Sequence, residues 1–273
     1  MDERQHRSDP MPRTLQTSPA VPRRFLPACR VVAVVAALVS MSAHGAEPVA
    51  ANEEASVVRI HQTRVARSFT LLYQMHRGGI TGSGELVWKR TGEQYEAHLK
   101  GTVAGFAVLN WNSSGGFDAA GVAPARYLER RLGKSDREAV FRRDVAKIDF
   151  SGVSPDVALL PGTQDRVSWL VQLPAILAAE PARAQAGARV AMHVVGTRGR
   201  SEVWTFVSSG AESIRTPSGT VRAIKLVRES QKADDTRAEV WVDPARQYLP
   251  AQIRLALPPF DAPLELSLAD ASY

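Results

Sequence analysis

The chain has 273 residues, 44% of them hydrophobic, enough for one substantial core and within the size an all-β domain reaches without splitting. Half of its formal charge of +6 comes from the first 45 residues, where six Lys or Arg face three Asp or Glu. Basicity is therefore a poor argument for nucleic-acid binding, and no nucleic-acid partner is expected.

Residues 1–45 read as a secretory signal peptide. Arg23, Arg24 and Arg30 precede the apolar run Val31–Val39, and small residues at Ala43 and Gly45 suit cleavage after Gly45, with the periplasm as destination. Nine apolar residues are too few to span a bilayer comfortably, so no stable membrane span is expected after processing. An uncleaved N-terminal anchor is the alternative, and Arg23–Arg24 also invites a twin-arginine route, although the fuller surrounding pattern is missing. Cys29, the one cysteine, lies before the apolar run and is wrongly placed for lipidation. A processed chain would then have no disulfide, cysteine nucleophile or thiolate metal site.

Residues 46–56, "AEPVAANEEAS", form a flexible N-terminal segment, and 57–270 read as a single β-rich domain. Its apolar period is two. "FTLLYQM" puts Phe69, Leu71, Tyr73 and Met75 on one face, "GELVWKR" offers Leu86 and Trp88, and "EQYEAHLKG" offers Tyr95, Ala97 and Leu99. The glycines of "HRGGITGSG" mark a tight connection. Further on, Arg126, Arg130, Arg131, Arg142 and Arg143 are interrupted by acids, which describes a solvated face.

The period changes in "LLPGTQDRVSWLVQLPAIL", Leu159–Leu177. Pro161 and Gly162 end the preceding strand, Thr163 is placed to cap a helix, and Asp165 suits the positive end of its dipole. Val167, Leu170, Leu173 and Leu177 form an apolar face, while Pro174 is expected to bend the helix or split it. Gln164, Asp165, Arg166 and Ser168 make a structural polar cluster at its start. Five further strands follow: "SEVWTFV", "TVRAIKLVRE", "AEVWVDP", "AQIRLAL" and "PLELSLA". The predicted fold is mainly β, a curved antiparallel sheet or incomplete β-barrel with a central covering helix.

The segments "PGTQDRVSWLVQL", "TPSGTVRAIKLVRE" and "EVWVDPARQYLPAQI" resemble a bacterial exported family, domain of unknown function 3108 (DUF3108). The matching positions are Gln164, Asp165, Arg166, Ser168, Gln172, Leu173, Trp241, Tyr248, Leu249 and Pro250. The resemblance implies an exported β-rich protein and supplies no reaction. The order of elements also has a looser likeness to periplasmic lipoprotein carrier proteins, which suggests a fold analogy.

Ser168, Asp165 and His193 are the residue types of an acyl-transfer triad, but no Gly-x-Ser-x-Gly elbow surrounds Ser168. His61, His76, His98 and His193 are dispersed without metal-site spacing. No catalytic residue, metal or cofactor is therefore expected. The favoured function is a noncatalytic binding or carrier-like module for an apolar or amphipathic envelope component. Its ligand is expected between helix and sheet, against Leu170, Leu173, Leu177, Trp204 and Trp241. An envelope structural or protein-interaction module is the alternative, so the partner is a lipid or an envelope protein; a hydrolase ranks third.

Overall fold

Alternation of apolar and polar residues dictates the strands. In the first, Phe69, Leu71, Tyr73 and Met75 are buried and the residues between them face outward. The computed structural model describes residues 58–130, 133–233, 235–256 and 262–273; the expected signal peptide and flexible segment lie outside the described residues. What it describes belongs to one compact unit, Glu53–Tyr273.

Eight strands come first: β1 (Phe69–Arg77), β2 (Ile80–Thr91), β3 (Gln94–Val103), β4 (Phe106–Asp118), β5 (Gly121–Arg130), β6 (Arg137–Arg142), β7 (Lys147–Phe150) and β8 (Val153–Ala158). After β9 (Gln164–Asp165) comes helix α1 (Trp169–Ala179). The chain then forms β10 (Arg189–Val195), β11 (Ser201–Thr216), β12 (Gly219–Arg228), β13 (Arg237–Asp243), β14 (Leu249–Ala256) and β15 (Leu264–Ser272).

All of these strands belong to one sheet, in which β1 pairs with β15 at the centre. One meander runs outward from β1 to β8 and a second from β15 back to β10; only β9, beyond β10, pairs in parallel. The architecture is thus mainly β, an open antiparallel sheet with a single central helix. Twist accumulates across so many strands, and bulges such as those at Ser114/Gly115 and Ser208/Gly210 sharpen it. The sheet therefore curls, and α1 touches β5 on one wing and β14 on the other.

This curl changes the character of the helix. An amphipathic helix with one apolar face was expected, yet every residue from Trp169 to Leu177 is buried. A helix enclosed on all sides is apolar all round, and this one acts as a plug instead of a lid. Its remaining side is covered by residues 58–68, which cross it as a strap. Arg64 N–H donates to the Ala175 carbonyl at 2.9 Å. Trp88 Nε1 donates to the Ala66 carbonyl at 3.3 Å, and Arg90 N–H to Ser68 Oγ at 3.0 Å. Pro174 does not split the helix, which is continuous from Trp169 to Ala179. Enclosure by the strap and both wings stabilises the backbone path despite the missing amide. Among the described residues, no helix is long and apolar enough to cross a membrane.

Candidate functional site

The polar residues at the start of α1 are joined by hydrogen bonds that run mostly to backbone. Asp165 is 0% exposed. Its Oδ1 accepts the amides of Val167 and Ser168, both at 2.8 Å, while Ser168 Oγ accepts the Asp165 amide at 2.8 Å. This reciprocal pair closes the turn 165–168 that leads into α1, whose N-cap is Ser168 with no side-chain cap bond. Thr163, expected to cap, instead donates its hydroxyl to the Leu160 carbonyl at 2.7 Å.

Behind this turn, Ser113 Oγ donates to Asp165 Oδ2 and lies 2.9 Å from the Tyr95 hydroxyl. Burial outweighs these hydrogen bonds and raises the Asp165 pKa to about 6. Sequence reasoning missed Ser113. Its available signal was a polar residue on the inward face of β4, two positions from buried Trp111.

The two glutamines perform a second structural task. β6 pairs with β5 only from Arg126 to Glu129, leaving the first half of that β5 edge without a strand partner. Gln172 closes it, its Nε2 donating to the Ala120 carbonyl at 2.6 Å and its Oε1 accepting the Val122 amide at 3.0 Å. Gln164 Nε2 donates to the Val122 carbonyl at 2.7 Å. The amide side chains replace a missing strand. Gly121, at φ +104, makes room for this contact, because a Cβ there would lie 2.7 Å from Gln172 Oε1.

Arg166 Nη1 donates to Thr236 Oγ1 at 3.0 Å, and its guanidinium lies 5.0 Å from the Trp204 ring centroid. Arg228 lies 4.5 Å from the same centroid. Arg228 also pairs with Glu202 at 3.3 Å and Asp235 at 3.7 Å, and burial lowers its pKa from the usual arginine value.

Of the residues expected to line an apolar ligand site, Leu170, Leu173, Leu177 and Trp204 are buried in the main core. Trp204 and Trp169 ring centroids are 5.7 Å apart, so Trp204 faces the helix. Trp241 is buried with them in that cluster but faces away from the helix. It pairs with Lys225, while Val240 pairs with Leu226 on the face that continues to Trp204, so Trp241 lies on the opposite side. There its ring carries Lys225 Nζ at 4.7 Å, and its Nε1 donates to Glu212.

No triad forms from Ser168, Asp165 and His193. The Ser168 hydroxyl is engaged with the Asp165 amide, and His193 points from β10 oppositely to buried Met192 and Val194. Among the described residues, no three His, Cys, Asp or Glu side chains gather as a metal site would require.

A groove open to solvent lies elsewhere. Val203 and Thr205 alternate with helix-facing Trp204 and Phe206, and Ala191 pairs with Thr205, so these three lie on the outer face of β10 and β11. With Val58, Arg59 and His61 of the strap and the loop after β12, they line a groove of about 710 Å³. Glu229 N–H donates to the Thr205 carbonyl at 2.8 Å and fixes the root of that loop. Burial and the Arg183 charge together lower the His61 pKa, despite Glu180 at 3.4 Å.

Comparison with solved structures gives resemblances in outline. A β-barrel-like protein of the DUF1849 domain from Brucella abortus aligns at 12% identity and a TM-score of 0.49, covering 76% of this chain and 98% of that one. MucB aligns at 12% identity and 0.28, covering 78% of this chain and 55% of that one. A domain named for outer-membrane lipoprotein sorting, from Vibrio parahaemolyticus, aligns at 8% identity and 0.23, covering 76% and 85%. No curated protein matches the sequence. The model of one family, described as a protein of unknown function, matches residues 72–259, which run from within β1 to beyond β14 and include the central helix; the chain belongs to the DUF3108 family.

Proposed function

We propose that the protein is an exported, noncatalytic binding module that carries an amphipathic envelope component in the periplasm. The observation behind this reading is the outer groove. At about 710 Å³ it has the size of a small-molecule site, and it joins an apolar wall of Val58, Ala191 and Val203 to cationic side chains. The leader pattern in residues 1–45 supplies the exported address. The polar cluster before α1 is engaged in its entry turn and in closing the β5 edge, which argues against a hydrolase built on it. In this reading Leu170, Leu173 and Leu177 are core residues, and the Trp204 ring carries the Arg228 guanidinium.

A second reading, an envelope interaction module, draws on the hairpin tips. Ile80 is 55% exposed and Phe106 64%, on the adjoining β1–β2 and β3–β4 turns. Native mass spectrometry and lipid extraction of protein purified from its own periplasm without detergent separate the two. A stoichiometric amphipathic compound that rebinds the stripped protein is the expected result. Consistently ligand-free protein that binds no extracted envelope lipid would overturn the carrier reading and leave the interaction module ahead.

A further inference from the structure

We infer that the groove on the outer face of β10 and β11 recognises an anionic phosphate group, the headgroup of the amphipathic ligand, through Arg59 and Lys232. This deepens the carrier reading and rests on it.

The argument begins with how the charges are partnered. Five cationic side chains, Arg59, Arg183, Arg189, Arg228 and Lys232, line the groove together with two carboxylates, Glu202 and Asp235. Three of the cations are committed. Arg183 pairs with Glu180 at 2.6 Å, Arg189 with Glu229, and Arg228 with Glu202 at 3.3 Å. Arg59 and Lys232 form no ion pair with any described residue.

Asp235 Oδ2 accepts the amides of Gln231 at 2.7 Å and Lys232 at 3.0 Å and lies 3.7 Å from Arg228. That carboxylate shapes the loop, and the Lys232 charge acts on it without an ion-pair contact. One further group indicates a built site. Ser201 Oγ, on the same face as Val203 and Thr205, is buried without a hydrogen-bond partner. An unpartnered buried donor is costly, and an oxyanion with several acceptor oxygens suits it together with the two cations. The apolar wall of Val58, Ala191 and Val203 gives an attached acyl chain a place beside the headgroup.

Isothermal titration with three probes tests the assignment: dihexanoyl phosphatidic acid, uncharged dihexanoylglycerol, and inorganic phosphate. The expected result is saturable binding of the phosphatidic acid, at least tenfold tighter than either other probe. The double variant R59Q/K232Q should lose about tenfold in affinity, whereas K100Q, an exposed lysine on β3, should lose none. Both altered groove residues are exposed, so folding should be unaffected, which circular dichroism checks.

Phosphate bound as tightly as the lipid, with the same loss in R59Q/K232Q, would uphold the anion site and overturn the amphipathic ligand. Dihexanoylglycerol bound as tightly as phosphatidic acid, with no loss in the double variant, would overturn the phosphate assignment and leave the carrier reading intact. Failure of all three probes to bind would overturn the assignment. The carrier reading would then depend on the extraction experiment alone.

Discussion

Replacing Asp165 with Asn isolates the cost of holding a carboxylate inside this fold. The buried side chain has a pKa of about 6 in the folded protein, against a usual value of 3.8. Because the folded pKa is the higher, the native state binds the proton more tightly, and stability falls as pH rises from about 4 to 6. Below the unfolded value the penalty is absent; above the folded value it is complete. The shift corresponds to about 3 kcal/mol. Asn is nearly isosteric: its Oδ1 can accept the Val167 and Ser168 amides, and its Nδ2 can donate to Ser113 Oγ, reversing one bond.

Urea unfolding of both proteins between pH 4 and 7.5 measures the difference, in which contributions from other titrating groups cancel. The variant should gain on wild type by about 3 kcal/mol across this interval, with most of the gain between pH 4 and 6.5. Parallel profiles would refute the reasoning and show that the hydrogen bonds to Asp165 offset its burial.

Three further outcomes follow from the geometry. Gln172→Ala should cost about 2–4 kcal/mol in denaturant unfolding, because it strips partners from the buried Val122 amide and Ala120 carbonyl together; a loss under about 0.5 kcal/mol would refute edge closure. Leu173→Ala, at a fully buried site, should cost about 2–5 kcal/mol by the same measurement, and a smaller loss would indicate a gap around the helix. Glu138→Gln, which breaks the exposed pair with Arg126 at 2.7 Å, should cost less than about 1 kcal/mol, with the difference shrinking further in high salt.

The alternation in "FTLLYQM" and the 3.6-period apolar positions after Asp165 were enough to place the first strand and the central helix, because both patterns are local. The polar cluster was also legible as a helix start. Which residue holds the entry turn was not, since Thr163 and Asp165 are both competent and only the packing against Ser113 selects between them. Trp241 shows where period two fails: in "AEVWVD" it is flanked by Val240 and Val242, so the apolar run marks no face, and the register with Lys225 had to assign it.

By itself the sequence determined strand-forming segments, one helix and its polar entry, since these depend on neighbours within a few residues. Only the tertiary structure decided that the helix is a buried plug, because its enclosure requires the curl of a sheet joined at β1 and β15 and a strap crossing from residue 58. The groove is of the same kind. Arg59, Arg189, Arg228 and Lys232 come from segments far apart in the chain, and no local pattern marks charges that meet only when the sheet has coiled.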